Sequence, residues 1–323
     1  GAYFMRKLFM LSIFISFLFA SEGETITFTS ANPFGFKDVI STLDQQEPQE
    51  VYGILKMPKQ MENSKIPLII GVAGSLGWSD HHYKFLQMYR DMGIATFEVK
   101  SFASRDIEST VGSQVEVTIA AMMLDVYRAF ETLANDPRID KDRVAITGWS
   151  LGGGVTLFSG WLPAKNVMNS TLTFAAHLAF YPPCFIVPEN LDFTDAPMHI
   201  LIGDLDNWTP AAACEELIPE MLANGANIGL TVYKDSHHSF DSAKEPVVNE
   251  VGYSFTDCRL KMQADGAVVM NFLDIPMTNP TLQKIGLAFC AERGPTHGGN
   301  PESREAAFIF AKEFMGEHLL NKK

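Results

Sequence analysis

Residues 147–155 read TGWSLGGGV, and the fold turns on whether Ser150 is a nucleophile raised on a tight turn or a serine in a glycine-rich loop. The pattern Gly-x-Ser-x-Gly is weak alone, so its flanks decide. Arg143 to Gly148 (RVAITG) reads as a buried strand, and Leu151 to Gly160 reads as the start of a helix. The serine therefore falls on a sharp strand-to-helix turn. Such a turn strains the serine backbone and brings neighbouring chain close to positions 148 and 152, both glycine here. The hydroxyl is then presented above the carboxyl ends of the strands, where open α/β sheets bind ligands. The backbone N–H of Leu151, at the helix N-terminus, points the same way and can donate to a developing oxyanion.

Working outward, short β-rich runs recur at 25–30, 51–57, 67–73, 93–99, 143–148, 173–180, 197–203 and 228–233. Stretches with apolar residues at helical spacing fall near 80–91, 115–135, 150–160, 211–224 and 302–320. Nearly continuous apolar strands separated by amphipathic helices predict an α/β fold: a mostly parallel sheet covered on both faces, with the first two strands antiparallel at one edge. No internal repeat or low-complexity linker divides 24–323, which reads as one domain. Residues 242–297 break the alternation and read as an insertion ahead of the last helix, with a hairpin turning at Asp265-Gly266.

A serine hydroxyl needs a base, and the base needs an orienting carboxylate. After two later strand ends come IGDLDNWTP (202–210) and YKDSHHSFD (233–241), giving the order Ser, Asp, His that this architecture uses. Asp206, three residues past Gly203, is the candidate carboxylate and Asp204 its competitor. His238 is the candidate base and His237 its competitor.

With these segments in hand, the chain resembles the dienelactone hydrolase family of α/β-hydrolases over roughly residues 50–240 and the last helix. The motifs that carry the resemblance are AGSLGWSDHH, SFASRD, GWSLGGG, GDLDNWTP and HHSFD. It implies an α/β-hydrolase fold, a Ser150–Asp206–His238 triad, and a second oxyanion donor at the backbone N–H of Ser75. It also implies that Arg105 contacts a substrate carboxylate; an exposed arginine at such a place is otherwise a surface ion-pair residue. Two departures matter. The best-known members use a cysteine nucleophile with a glutamate before the oxyanion turn, whereas this chain has Ser150 and, at the matching place, Gly74. The changes are mutually consistent, and they weaken a claim to dienelactone itself as substrate. The expected reaction is hydrolysis of carboxylic esters with short acyl groups, or of lactones, through an acyl-enzyme. A peptidase or acyltransferase on the same triad is the alternative, and a non-catalytic binding protein is a further one.

Trp78 and Trp208 lie on loops beside Ser75 and Asp206, where they either wall a substrate pocket or pack the loops. Asp80, His81 and His82 suggest a metal by residue type, but adjacent histidines on a helix diverge, so no metal is expected. No phosphate-cradling glycine loop follows the first buried strand, so no cofactor is expected either.

At 323 residues, 46% hydrophobic and 20% charged, the chain has a globular composition. Its formal net charge of −13, without a compensating basic run, disfavours nucleic acid and anionic membrane surfaces as partners and leaves a small-molecule ester as the expected one. Met5-Arg6-Lys7 followed by apolar residues from Leu8 to Ala20 has the order of a secretory signal, and Gly1–Phe4 ahead of it read as a non-native leader. Residues 1–23 are thus expected to direct export to the periplasm or outside the cell. Leu18 fits the cleavage rule poorly, which leaves an uncleaved anchor as the alternative. In an oxidising compartment the four cysteines permit three full pairings; Cys184 with Cys214 and Cys258 with Cys290 keeps each bridge within one region, and four buried thiols are the other reading.

Overall fold

The computed structural model describes residues 23–59, 65–270 and 273–321. The predicted export segment lies outside the described residues. Among those described, no helix is long and apolar enough to cross a membrane.

Eight strands form one sheet: β1 (Glu24–Ala31), β2 (Pro48–Lys56), β3 (Ile66–Val72), β4 (Ala95–Val99), β5 (Ile139–Trp149), β6 (His177–Phe180), β8 (Met198–Gly203) and β9 (Ile228–Tyr233), with the short β7 (Ile186–Pro188) outside it. The order is β1-β2-β4-β3-β5-β6-β8-β9. β1 and β2 pair antiparallel, β2 pairs antiparallel with β4, and every pairing from β4 to β9 is parallel. Each of the eight expected strands is present, with the antiparallel pair at the edge.

The helices are α1 (Phe36–Thr42), α2 (Asp80–Asp91), α3 (Ile119–Leu133), α4 (Leu151–Phe158), α5 (Leu162–Met168), α6 (Ala211–Ala223), α7 (Pro280–Leu287) and α8 (Pro301–Leu319). Two glycines show that the sheet is covered on both sides. Gly71 is in register with Thr147, so Gly148 points to the opposite face from Gly71. A Cβ at Gly71 would meet Leu86 of α2, whereas one at Gly148 would meet Gly152 of α4. Burial on both faces explains why every residue of β3 is apolar or glycine or proline and all are buried.

The segment 242–297 folds back on itself. β10 (Val247–Val248) pairs with β14 (Thr296–His297), and β11 (Tyr253–Ser254) pairs with β13 (Glu292–Arg293), so its beginning lies against its end. β12 (Leu260–Met262) joins β7 in parallel, and the chain then reverses where Gln263 N–H donates to Ala267 O, which is the hairpin expected at Asp265-Gly266. The bridges Cys184–Cys214 and Cys258–Cys290 both form, which excludes the four-thiol reading. The second ties the body of this segment together.

Candidate active site

Ser150, Asp206, His238 and Ser75 follow β5, β8, β9 and β3 respectively, so parallel pairing delivers all four to the carboxyl end of the sheet. Ser150 has φ 56° and ψ −114°, a conformation that L-residues rarely adopt. The reason for the flanking glycines is steric: a Cβ at Gly148 would lie 2.2 Å from Gly152 O, and one at Gly152 would lie 2.3 Å from Val72 O. β3, β5 and α4 thus close around the turn and leave the serine half-exposed at its tip.

His238 Nε2 stands 2.9 Å from Ser150 Oγ, and its Nδ1 stands 2.7 Å from Asp206 Oδ2. Asp206 is held in turn. Its Oδ1 accepts from the backbone N–H groups of Trp208 (2.9 Å) and Thr209 (2.8 Å), and the Thr209 hydroxyl donates to the Tyr181 carbonyl at 2.9 Å. The competing residues point elsewhere. Asp204 Oδ1 accepts from the Ser236 N–H at 3.1 Å, where it closes the loop rather than meeting His238. His237 leaves its Nδ1 buried without a hydrogen-bond partner among the described residues.

The turn after β3 lies directly against the serine: a Cβ at Gly74 would be 3.1 Å from Trp149 O and 3.4 Å from Ser150 Cβ. The Ser75 carbonyl is pinned by the Thr110 N–H and the Ser109 hydroxyl, both at 2.9 Å. Neither the Ser75 nor the Leu151 N–H has an acceptor among the described residues. Both amides are therefore available to an anionic oxygen forming beside Ser150.

A family profile, that of the dienelactone hydrolase family, matches residues 87–259, more than half of the chain. The chain belongs to the dienelactone hydrolase family. Membership places it among hydrolases, and the mostly parallel sheet described above is the α/β-hydrolase fold. A search of curated proteins finds no match. Among solved structures, a protein from Klebsiella pneumoniae assigned as a dienelactone hydrolase is 20% identical, with 68% of this chain and 89% of that one covered and a TM-score of 0.48. A thermophilic esterase from the planctomycete Thermogutta terrifontis is 15% identical, covering 66% and 86%, with a TM-score of 0.49.

The tryptophans differ in use. Trp208 is buried, packs against the His238 ring at 5.0 Å and borders the space on either side of Ser150. Trp78 is mainly a loop-packing residue: its Nε1 donates to Val99 O at 3.1 Å and its ring stacks on Tyr83, although one edge also borders the polar side of the site. Arg105 departs from expectation. Its guanidinium makes two bonds to the fully buried Asp125 of α3, at 2.7 and 2.9 Å, and others to Ala31 O, Ser101 O and Asn32 Oδ1. With its donors consumed and its side chain 7% exposed, it pins β1 to α3 and touches neither cavity beside Ser150.

His81 and His82 both have structural partners. His82 Nδ1 accepts from the Ser79 N–H at 3.2 Å and its ring stacks on Trp149, and burial pushes its pKa well below the usual histidine value. His81 faces Asp241 at 3.7 Å; burial lowers its pKa, opposed by the Asp241 charge.

Sequence reasoning assigned no role to Asp241, Tyr181 or Thr209. Asp241 is fully buried, accepting from Trp149 Nε1 at 3.0 Å and from the Tyr181 hydroxyl at 2.9 Å, while the Tyr181 ring packs edge-on against His238 at 4.5 Å. This carboxylate thereby ties Trp149, the residue before Ser150, to a ring packed against His238. Its position three residues after His238, within HHSFD, was the available signal.

Proposed function

We propose that the protein is a serine esterase that cleaves carboxylic esters through a Ser150–His238–Asp206 triad. The observation that carries this reading is the unbroken chain of hydrogen bonds from Ser150 Oγ through His238 to Asp206, at 2.9 and 2.7 Å, on a strained turn beside two unengaged amides. His238 Nε2 takes the Ser150 proton as Oγ attacks the ester carbonyl, and Asp206 holds the imidazole in the accepting tautomer and offsets the charge it gains. The N–H groups of Ser75 and Leu151 receive the oxyanion, a contribution worth on the order of 10²–10³ in turnover per donor. The imidazolium then protonates the leaving alcohol, and water repeats the cycle on the acyl-enzyme. Export is part of the same reading, supported by two disulfides in a chain of this size.

The test is turnover of a chromogenic ester by Ser150→Ala and His238→Ala. Both are expected to lose it by several orders of magnitude while melting like the parent; full turnover in either variant would remove the assignment.

A further inference from the structure

Two cavities of different character, one apolar and one with several charged residues in its wall, meet at Ser150. The first is apolar, about 140 Å3, and is closed partly by Phe36 of α1, by Phe185 just ahead of β7, and by Phe255, Leu260, Val268 and Leu287 of the 242–297 segment. The second is a basin of about 480 Å3 with mixed walls, lined among others by Lys84, Lys244, Arg304, His81, His297 and Asp241. Ser75, Ser150 and Trp208 border both, Leu151 borders only the apolar chamber, and His238 borders only the basin.

Resting on the esterase reading, we propose that these cavities divide the substrate: an apolar acyl group of about five or six carbons occupies the chamber, and a polar alcohol carrying negative charge departs through the basin. The assignment of sides follows from proton transfer. As the bond between the carbonyl carbon and the alcohol oxygen breaks, that oxygen must take the proton His238 Nε2 received from Ser150, so the alcohol lies on the His238 side. The acyl group, now bonded to Ser150 Oγ, stays on the Leu151 side while water enters from the basin and gives its proton to the same nitrogen.

Size and charge refine each half. An apolar cavity of roughly 150 Å3 stays dry and accepts a benzene-sized guest, which sets the acyl limit. In the basin the ammonium groups of Lys84 and Lys244 and the guanidinium of Arg304 have no carboxylate within ion-pair distance among the described residues. Two carboxylates, Asp80 and Asp241, also line it, against the three cationic side chains of Lys84, Lys244 and Arg304. The basin therefore presents a local excess of positive charge in a chain whose net charge is −13.

The experiment measures kcat/KM for phenyl esters from acetyl to decanoyl, then for 3-carboxyphenyl hexanoate against its 3-carbamoylphenyl counterpart. Values are expected to rise roughly threefold per methylene to an optimum at pentanoyl or hexanoyl. The carboxylate ester is expected to be favoured roughly three- to tenfold, with the preference shrinking in 1 M salt and reversing in Lys244→Glu. In Val268→Phe the hexanoyl-to-acetyl ratio is expected to fall about tenfold. An optimum at acetyl, a flat series, or indifference to leaving-group charge would overturn the division, and the unmodified protein alone suffices to decide between these outcomes. If esters are turned over and Ser150 reacts with a phosphonate, such a result rejects the division and keeps the esterase; no turnover and no reaction at Ser150 reject the esterase reading itself.

Discussion

Asp206 shows how much a single side chain is asked to do. Two backbone amides fix one oxygen of the carboxylate so that the other faces His238 Nδ1. Asp206→Asn keeps the shape but presents a donor where an acceptor is required, which favours the wrong tautomer of His238; kcat is expected to fall about 10⁴-fold with little change in KM. Arg105 makes the opposite case. Arg105→Ala strands the buried Asp125 charge, so denaturant unfolding should show a loss of about 3–5 kcal/mol, while kcat/KM of the folded fraction stays the same for esters with and without a carboxylate. Ser150 and His238 were legible because each carries a local signal, glycines on the one hand and a strand end on the other. Arg105 misled because its partner lies 20 residues away on α3, and nothing in SFASRD announces it. Asp241 went unassigned for a related reason: its partners Trp149 and Tyr181 are brought to it only by the sheet.

At the scale of elements, the β5–α4 turn is a three-body contact between two strands and a helix. Gly148→Ala places a methyl group 2.2 Å from a backbone oxygen, and Gly152→Ala one 2.3 Å from another, so neither can be absorbed by a rotamer change. Either variant is expected to lose more than about 3 kcal/mol in urea unfolding and to lose ester turnover even where it remains folded. The Cys258–Cys290 bridge spans 32 residues and holds Phe255, Leu260 and Leu287 in one wall of the apolar chamber. Cys258→Ser with Cys290→Ser is expected to raise KM for hexanoyl esters more than for acetyl esters. The eight long strands could be read because burial on both faces or alternation marks four or more residues in a row. α1, α5 and α7 could not, since seven or eight residues hold barely two turns of helical periodicity, and the ribbons of the 242–297 segment have two residues per strand. The feature most informative about substrate thus came from the part of the chain with the weakest pattern.

At the scale of the whole molecule, histidines set an acid limit on stability. Burial lowers the pKa of both His177 and His199 to about 4, and that of His82 well below its ordinary value. In the unfolded chain these groups titrate near 6.5, so between about pH 6.5 and 4 the unfolded state binds more protons and stability falls as pH falls. Above about 6.5 both states are neutral at these sites and the contribution is flat. The melting temperature is therefore expected to hold from pH 8 to 7 and decline below 6.5, with a shallower decline in His177→Gln; for His177 alone the full loss is on the order of 3 kcal/mol. The sheet that buries these rings also brings four loops, distant in sequence, to one point, and the catalytic account depends on that convergence at Ser150. Peptide mapping of the protein after reaction with an alkyl phosphonate ester tests it most directly. A single adduct on Ser150, absent from Ser150→Ala and formed far more slowly in His238→Ala, is the predicted result; an adduct elsewhere, or undiminished labelling in His238→Ala, would contradict it.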